Sequence, residues 1–196
     1  WSTRATVGYL DQHAVLEKGM TIKDVLRDAF KHMFDLEQEM LKMYDQMGDA
    51  DEEQMSKLLE ETAEIQTILE NSGFYIIDAK IQEVANGLGL GEIGLDRDVT
   101  DLSGGQRTKV LLTKLLLESP TILILDEPTN YLDEEHIVWL TRYLQEYDNS
   151  FILVSHDVDF INNTCNVIYH IENATLTRYK GNYDEFVRLR DIKKRQ

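Results

Sequence analysis

The sequence of 196 residues predicts an α/β protein with a helical hairpin inserted in its first half. Residues 121–125 and 151–154 are continuous apolar runs of strand length, typical of strands buried on both faces in a parallel sheet. Between them, residues 134–147 carry apolar side chains at helical spacing, so the three segments form a right-handed β-α-β unit. Two long amphipathic patterns on either side of a turn at 48–51 predict the hairpin.

A short strand is predicted at residues 5–10, before the hairpin. The first hairpin helix begins after Thr21, its predicted N-cap, and runs to about residue 47, and the second covers about 52–69. Residues 20–73 contain five Lys or Arg and fourteen Asp or Glu. We expect an acidic arm in which the apolar stripes pack one helix on the other. Such an arm either contacts a partner or is a stabilising hairpin without one.

A glycine-rich connector at residues 87–94 follows a predicted helix at 78–86. It contains the pattern G-x-G-x-x-G at 89–94, which binds dinucleotides when it follows a strand and opens a helix. Neither condition holds here. The pattern is therefore interpreted as a loop or a helix cap.

Residues 102–106, Leu-Ser-Gly-Gly-Gln, begin a helix predicted to run to about residue 118. Ser103 with Gln106 three residues later is a capping box, which alone would indicate only a well-capped helix. Gly104 and Gly105 are poor helix formers, and two of them in the first turn indicate that another group approaches the backbone closely. Unpaired N–H groups, a serine hydroxyl and the positive end of the helix dipole favour a phosphate site.

Three candidate catalytic residues follow the two predicted buried strands. Asp126 and Glu127 come directly after the first strand, and His156 comes after the second. Ligands of open α/β sheets bind beyond the carboxyl ends of the strands, so one carboxylate can hold Mg²⁺ while its neighbour orients the attacking water. A histidine after a strand is more often structural. The β-α-β connection nevertheless puts His156 at the same edge as Glu127, which favours a functional role.

The composition excludes several classes of protein. A net charge of −16 and a pI near 4.6 argue against a chain that coats nucleic acid by charge alone. The single cysteine, Cys165, excludes an internal disulfide and a cysteine-based metal framework. No apolar run reaches the roughly 18 residues of a membrane span, and the first residues lack the apolar core of a signal peptide. These features predict a soluble cytoplasmic protein.

Four motifs, in this order, resemble those of ABC-type ATPases. Residues 102–106 resemble the signature motif, 122–127 the Walker B motif with its catalytic glutamate, and 130–133 the D-loop. Residues 155–157 resemble the segment that carries the switch histidine, and residues 9–12 are similar to the Q-loop. The resemblance implies an ABC-type P-loop NTPase core, here incomplete, with a helical subdomain that carries the inserted hairpin.

Within this superfamily the chain is most similar to the ABC-F family. The similarity rests on Glu-Pro-Thr-Asn-x-Leu-Asp at 127–133, the hairpin and the segment 179–186. ABC-F proteins are cytosolic twin ATPases without membrane domains, and many act on the ribosome. The resemblance implies a second ABC domain, the ribosome and tRNA as partners, and a role in translation or antibiotic resistance. The alternatives are the ATP-binding subunit of a membrane transporter and a chromosome-maintenance or DNA-repair ATPase, which would need a much longer insertion.

The resemblance also implies a division of the chain. The ATPase core would comprise residues 1–19 and 119–182, and the helical signature subdomain residues 74–118. The arm would be residues 20–73, and residues 183–196 would begin the linker to the second ABC domain.

Individual residues take roles in binding ATP and Mg²⁺ from the same resemblance. Asp126 would position Mg²⁺, Glu127 would be the general base, and Gln12 would contact both the metal and the γ-phosphate. His156 would hold the γ-phosphate and the attacking water, and Asp133 would couple the two nucleotide sites.

The signature residues would contact the ATP that the partner domain holds. They are Leu102, Ser103, Gly104, Gly105 and Gln106. No G-x-x-x-x-G-K-[ST] loop occurs in the 196 residues, so we expect a piece of a longer protein that has no measurable ATP affinity by itself. We also expect the strands at 121–125 and 151–155 to lack a sheet neighbour and to cause self-association.

Overall fold

A three-stranded parallel sheet lies at the centre of the computed structural model, which describes residues 2–11 and 13–195. Its strands are β1 (Val7–Tyr9), β2 (Ile122–Asp126) and β3 (Ser150–Val154), and they pair in that order. The parallel pairing confirms the α/β fold that the two apolar runs predict.

Helices make up most of the remaining structure. An antiparallel pair of strands lies between the last two helices. The helices are α1 (Ile22–Arg27), α2 (Lys31–Gln46), α3 (Glu52–Asn71), α4 (Ile77–Gly87), α5 (Gly104–Glu118), α6 (Glu134–Gln145), α7 (Val158–Thr164) and α8 (Tyr183–Arg195). The strand pair is β4 (Val167–Glu172) with β5 (Thr175–Lys180).

One face of the sheet forms the main core. Leu123 and Leu125 are buried in one cluster with apolar side chains of α1, α4, α5, α6 and α7. On β1 this face presents Gly8, where an added methyl group would lie 2.7 Å from Leu115 Cδ1 of α5 and 2.6 Å from Pro120 Cγ. The glycine therefore allows β1 to approach α5 closely, and this contact fixes the sheet against the helix that begins with the signature residues.

The other face of the same sheet is open and apolar. Tyr9 of β1 is 66 % exposed, and Ile152 and Val154 of β3 are 56 % and 52 % exposed. Parallel sheets are normally covered on both faces. The prediction that both central strands are buried on both faces is thus met on one face only.

The expectation that both central strands lack a neighbour is wrong for β2. This strand pairs with β1 on one side and with β3 on the other. The second neighbour is β1, residues 7–9, which precedes the arm. The periodicity of the sequence does not show that strands so far apart in the chain pair with each other. Within the described residues, β3 pairs with β2 alone.

The first predicted arm helix is divided in two. Thr21 is the N-cap of α1, as the sequence predicts, and it also forms a capping box with Asp24. A 3₁₀ turn at Asp28–Phe30 separates α1 from α2. The residues of α1 lie in the main core, whereas α2 and α3 pack on each other around a small cluster of their own. Its buried members are Met40, Ile65 and Leu69. The projecting hairpin therefore consists of α2 and α3.

The glycine-rich connector forms turns, as predicted, and does not form a dinucleotide fingerprint. Gly89 and Gly94 have φ values of +82° and +92°, which glycine adopts without strain. An added methyl group on Gly87, the last residue of α4, would lie 2.1 Å from the ring of Trp139. The backbone of the connector thus packs directly against α6.

None of the helices in the described ranges combines the length and the apolar composition needed to cross a bilayer.

Candidate nucleotide site

The start of α5 is fixed by its own sequence. Ser103 is the N-cap, and its Oγ accepts a hydrogen bond from the backbone N–H of Gln106 at 3.2 Å. In return, Gln106 Oε1 accepts from the backbone N–H of Ser103 at 3.0 Å. This is the capping box predicted from the sequence. It uses one of the two acceptor lone pairs of the serine hydroxyl and leaves its hydrogen available to donate.

The two glycines of this first turn have different surroundings. Among residues 2–11 and 13–195, no other side chain or segment lies within 4 Å of the position where a methyl group on Gly104 would be, so this side of the helix is open there. The same position on Gly105 lies 3.0 Å from Cδ1 of Tyr131. Because the first N–H groups of a helix have no intrahelical acceptor, the open side at Gly104 is where an external anion can meet them.

Two further contacts anchor the signature segment. The side chain of Leu102 packs against the main core. The guanidinium group of Arg107 donates a hydrogen bond to the backbone carbonyl of Ala14, in the segment that follows β1. Arg107 therefore connects the signature helix to the neighbourhood of the predicted Q-loop. Gln12 itself lies outside the described residues.

Asp126 and Glu127 lie at the carboxyl end of β2. Asp126 is the last residue of the strand, and its side chain is exposed. Glu127 has a φ of +48°, a left-handed conformation that non-glycine residues rarely adopt. Its backbone N–H still donates to the carbonyl oxygen of Val154 at 2.7 Å, so β3 holds the glutamate in this conformation. Backbone strain of this kind is concentrated at functional sites.

His156 contacts both carboxylate oxygens of Glu127. Its backbone N–H donates to Glu127 Oε2 at 3.3 Å, and its ring Nδ1 hydrogen-bonds with Oε1. In the arrangement in which the Glu127 carboxylate accepts, Nδ1 is the donor of this contact and Nε2 is the nitrogen left for a ligand. The histidine side chain is 96 % exposed and that of Glu127 is 23 % exposed. The structure thus brings together the two residues that the shared sheet edge predicts to be neighbours.

Asp133 lies farther along the loop, at the N-cap position of α6. Its side chain makes no capping hydrogen bond, and the residue is exposed. It is therefore available to a group outside the described residues, as a residue that couples two sites would need to be.

An Mg²⁺ ion would find one protein ligand of the right chemistry here. The exposed carboxylate of Asp126 suits this ion, which usually takes one or two carboxylates, with water and substrate phosphates as the other ligands. Across the described residues, no group of three or more His, Cys, Asp or Glu side chains is arranged to hold a metal.

Sequence reasoning missed Tyr131 and Arg107. Tyr131 is the variable position of the motif at 127–133, so the pattern gave no reason to select it. Arg107 follows the signature motif directly, and its partner is a backbone carbonyl, which no sequence pattern identifies. Both act through contacts between segments that are distant in the chain.

Comparisons with known proteins agree with this geometry. The family model described as ABC transporter matches residues 1–130. The chain is 62 % identical over its full length to the uncharacterized ABC transporter ATP-binding protein YfmM of Bacillus subtilis, and it spans 38 % of that protein. It is 30 % identical over 94 % of its length to the energy-dependent translational throttle protein EttA of Haemophilus influenzae, and it spans 33 % of EttA.

A solved structure has the same fold. The ATP-binding subunit of an ABC transporter superposes with a TM-score of 0.57 at 18 % identity, covering 96 % of this chain and 64 % of that one. Together with the family match, the capped signature helix and the paired residues at the sheet edge lead to one conclusion. The chain belongs to the ABC transporter family and forms part of an ATP-binding domain.

Proposed function

We propose that the chain is part of a cytosolic ABC-F-type ATPase that couples ATP binding and hydrolysis to the regulation of translation or to antibiotic resistance on the ribosome. The observation that carries the proposal is the pair formed by Glu127 and His156 beside Asp126. The order of motifs, the α2–α3 hairpin and the similarity to the translational throttle EttA support it.

Each residue at the sheet edge has a chemical task in this proposal. Glu127, held by two contacts from His156, accepts a proton from the attacking water. His156 keeps the carboxylate oriented and presents Nε2 towards the γ-phosphate. Asp126 holds Mg²⁺, which supplies charge neutralisation. Phosphoryl transfer depends mainly on such positioning and neutralisation.

The signature residues serve a second nucleotide. Ser103, Gly104 and Gly105 meet the γ-phosphate of ATP held by the second ABC domain, and Leu102 and Gln106 keep this helix end in place. Asp133 would connect the two sites, and Gln12 would take the role of contacting metal and phosphate that the resemblance implies. The P-loop of this domain is supplied by a part of the protein outside these 196 residues. The chain then contributes to two sites and completes neither.

We also propose the division implied by the sequence, with a core at 1–19 and 119–182, a helical subdomain at 74–118, an arm at 20–73 and a linker from 183. Apolar residues of α1 are buried in the main core, which supports the view that only α2 and α3 project from it as the arm.

The isolated chain should self-associate through the open face of its sheet. Tyr9, Ile152 and Val154 expose apolar surface there, on the two outer strands of the described sheet. Light scattering of the chain and of an Ile152→Lys variant measures this directly, with Leu59→Lys on the arm as the control. A wild-type chain that remains monomeric at high concentration would refute the expectation.

Ribosome binding by the full-length protein tests the proposal. Glu127→Gln blocks proton transfer and keeps the shape of the side chain, so ATP should trap the protein on its target. We expect this variant to sediment with ribosomes in the presence of ATP and to remain in the supernatant without it. Glu146→Gln, an exposed change distant from the motifs, should behave like the wild type.

Two outcomes would count against it. If Glu127→Gln stays in the supernatant with ATP, the translation role fails. If it instead sediments with a membrane fraction, the competing function as the ATP-binding subunit of a transporter is favoured.

A further inference from the structure

The ring of Tyr131 connects the loop after Glu127 to the first turn of α5. It lies against Gly105 so closely that an added methyl group would be 3.0 Å from Cδ1 and 3.6 Å from Cε1. The first of these distances is shorter than ordinary van der Waals contact, so a side chain at this position would require the ring or the helix end to shift by a few tenths of an ångström. Gly105 thus allows Tyr131 to lie directly against the first turn of α5.

Gly104 provides the contrast. In the part of the chain that the structure describes, a methyl group there would meet no other side chain within 4 Å, although the residue belongs to the same turn of the same helix. The Gly104 side of the turn is therefore free of other side chains of the described residues, whereas the same side of Gly105 faces the ring of Tyr131. Gly105 remains partly exposed, so it can still face a phosphate, but it is also packed against its own chain.

Both partners of this contact are held in place. Thr129 and Leu132, on either side of Tyr131, are 8 % and 9 % exposed, and the N–H of Leu132 donates to the carbonyl oxygen of Thr129 at 3.1 Å. The start of α5 is held by its capping box and by Arg107. The ring therefore projects from one fixed segment, the loop that begins at Glu127, onto a second fixed segment, the start of α5.

We propose that Tyr131 is a positioning residue that sets where the N-terminus of the signature helix lies relative to the loop carrying Glu127. This inference rests on the proposed ATPase function. Donors aimed at a transferring phosphoryl group act only in the correct place, and a misplacement of about 1 Å can lower the rate by about 100-fold. Through Tyr131, a movement of the Glu127 loop reaches the N–H groups that serve the other nucleotide.

A rescue experiment in the full-length protein separates this role from direct contact with ATP. Gly105→Ala should lower kcat for ATP hydrolysis by about tenfold or more, because the methyl group displaces the ring or the helix. Adding Tyr131→Ala gives the methyl group room, so the double variant should recover at least about threefold over Gly105→Ala alone. Gly104→Ala is the matched control, and Tyr131→Ala should not rescue it.

The conservative variant and the kinetic constants exclude a general structural effect. Tyr131→Phe keeps the ring and should retain the wild-type kcat, whereas Tyr131→Ala should lower kcat and leave the KM for ATP within about twofold, since the P-loop that binds ATP is elsewhere. Melting temperatures of all variants are measured in parallel. Because Tyr131 is 53 % exposed, its single variants should fold even if Gly105→Ala does not.

The possible failures are distinguishable. A wild-type protein that does not hydrolyse ATP overturns the proposed function itself. An active wild type combined with no rescue of Gly105→Ala, or with equal rescue of Gly104→Ala, overturns the role of Tyr131 alone. If Gly105→Ala fails to fold, a Tyr131→Phe variant as impaired as Tyr131→Ala overturns it.

Discussion

The start of α5 and the carboxyl edge of the sheet are built in different ways. At α5, Ser103 and Gln106 bond to each other within four consecutive residues, so the local sequence determines the geometry. At the sheet edge, Glu127 and His156 are 29 positions apart and meet only because β2 and β3 pair in register. The capped helix start should tolerate loss of tertiary structure better than the Glu127–His156 contact. Substitutions in the segments that join these two sites should therefore have large effects on stability.

The largest effect on stability is expected at the joint between the connector and α6. Gly87→Ala places a methyl group 2.1 Å from the ring of Trp139, so Trp139 or the end of α4 must move. Overpacking of this kind costs about 1–3 kcal/mol, and it should disturb both sites because α6 follows the loop that contains Tyr131. Urea unfolding of the dilute chain measures the change.

Gly48→Ala is the control for this variant. Gly48 lies at the tip of the arm, where a methyl group would meet nothing within 4 Å. If both variants are equally stable, the joint between α4 and α6 is looser than described.

A smaller effect is expected from Ser103→Ala. The change removes the acceptor for the N–H of Gln106 and should cost about 1 kcal/mol of unfolding free energy. The sheet edge does not depend on this cap, so the contact of Glu127 with His156 should persist. Chemical shifts of the His156 ring, followed by NMR, report on that contact. A shift as large as the one produced by Glu127→Gln would show that the two sites are not built independently.

The control for the cap is Ser56→Ala, an exposed change within α3. It removes a hydroxyl group of the same size from a helix and should not lower stability.

The smallest effect concerns the turn that leads into the signature segment. The Thr100 hydroxyl, together with the backbone N–H groups of Thr100 and Gly19, donates to Asp98 and holds the pKa of its carboxyl below the usual value. A lowered pKa in the folded state stabilises the protein above the ordinary value of 3.8, and this contribution is lost as the pH falls through the folded-state pKa.

Asp98→Asn should therefore be slightly less stable than the wild type at pH 6, and the difference should vanish in acid. Thermal unfolding as a function of pH measures it, with Asp96→Asn as the exposed control. A difference that persists unchanged at the lowest pH would show that Asp98 contributes through packing and not through its charge.

The sequence predicts what depends on neighbours in the chain or on simple periodicity. The N-cap at Thr21 and the capping box of Ser103 follow from local sequence patterns, and the meeting of Glu127 with His156 follows from the rule for β-α-β connections. The second neighbour of β2 could not be foreseen, because β1 arrives from the far side of the arm.

Close contacts between segments that are distant in the chain could not be predicted either. The sequence does not distinguish Gly104 from Gly105, and only the fold shows that Tyr131 packs against Gly105. The left-handed backbone of Glu127 was not predictable either, because glutamate rarely adopts this conformation and the bond from its N–H to Val154 joins segments that are distant in the chain.

ATP hydrolysis by the full-length protein with Glu127→Gln tests the central claim most directly. If Glu127 is the general base at the edge of β2, this single change should lower the rate of phosphate release by about 10²–10⁴-fold, while Glu146→Gln leaves it unchanged. A Glu127→Gln protein that releases phosphate at the wild-type rate would contradict the account.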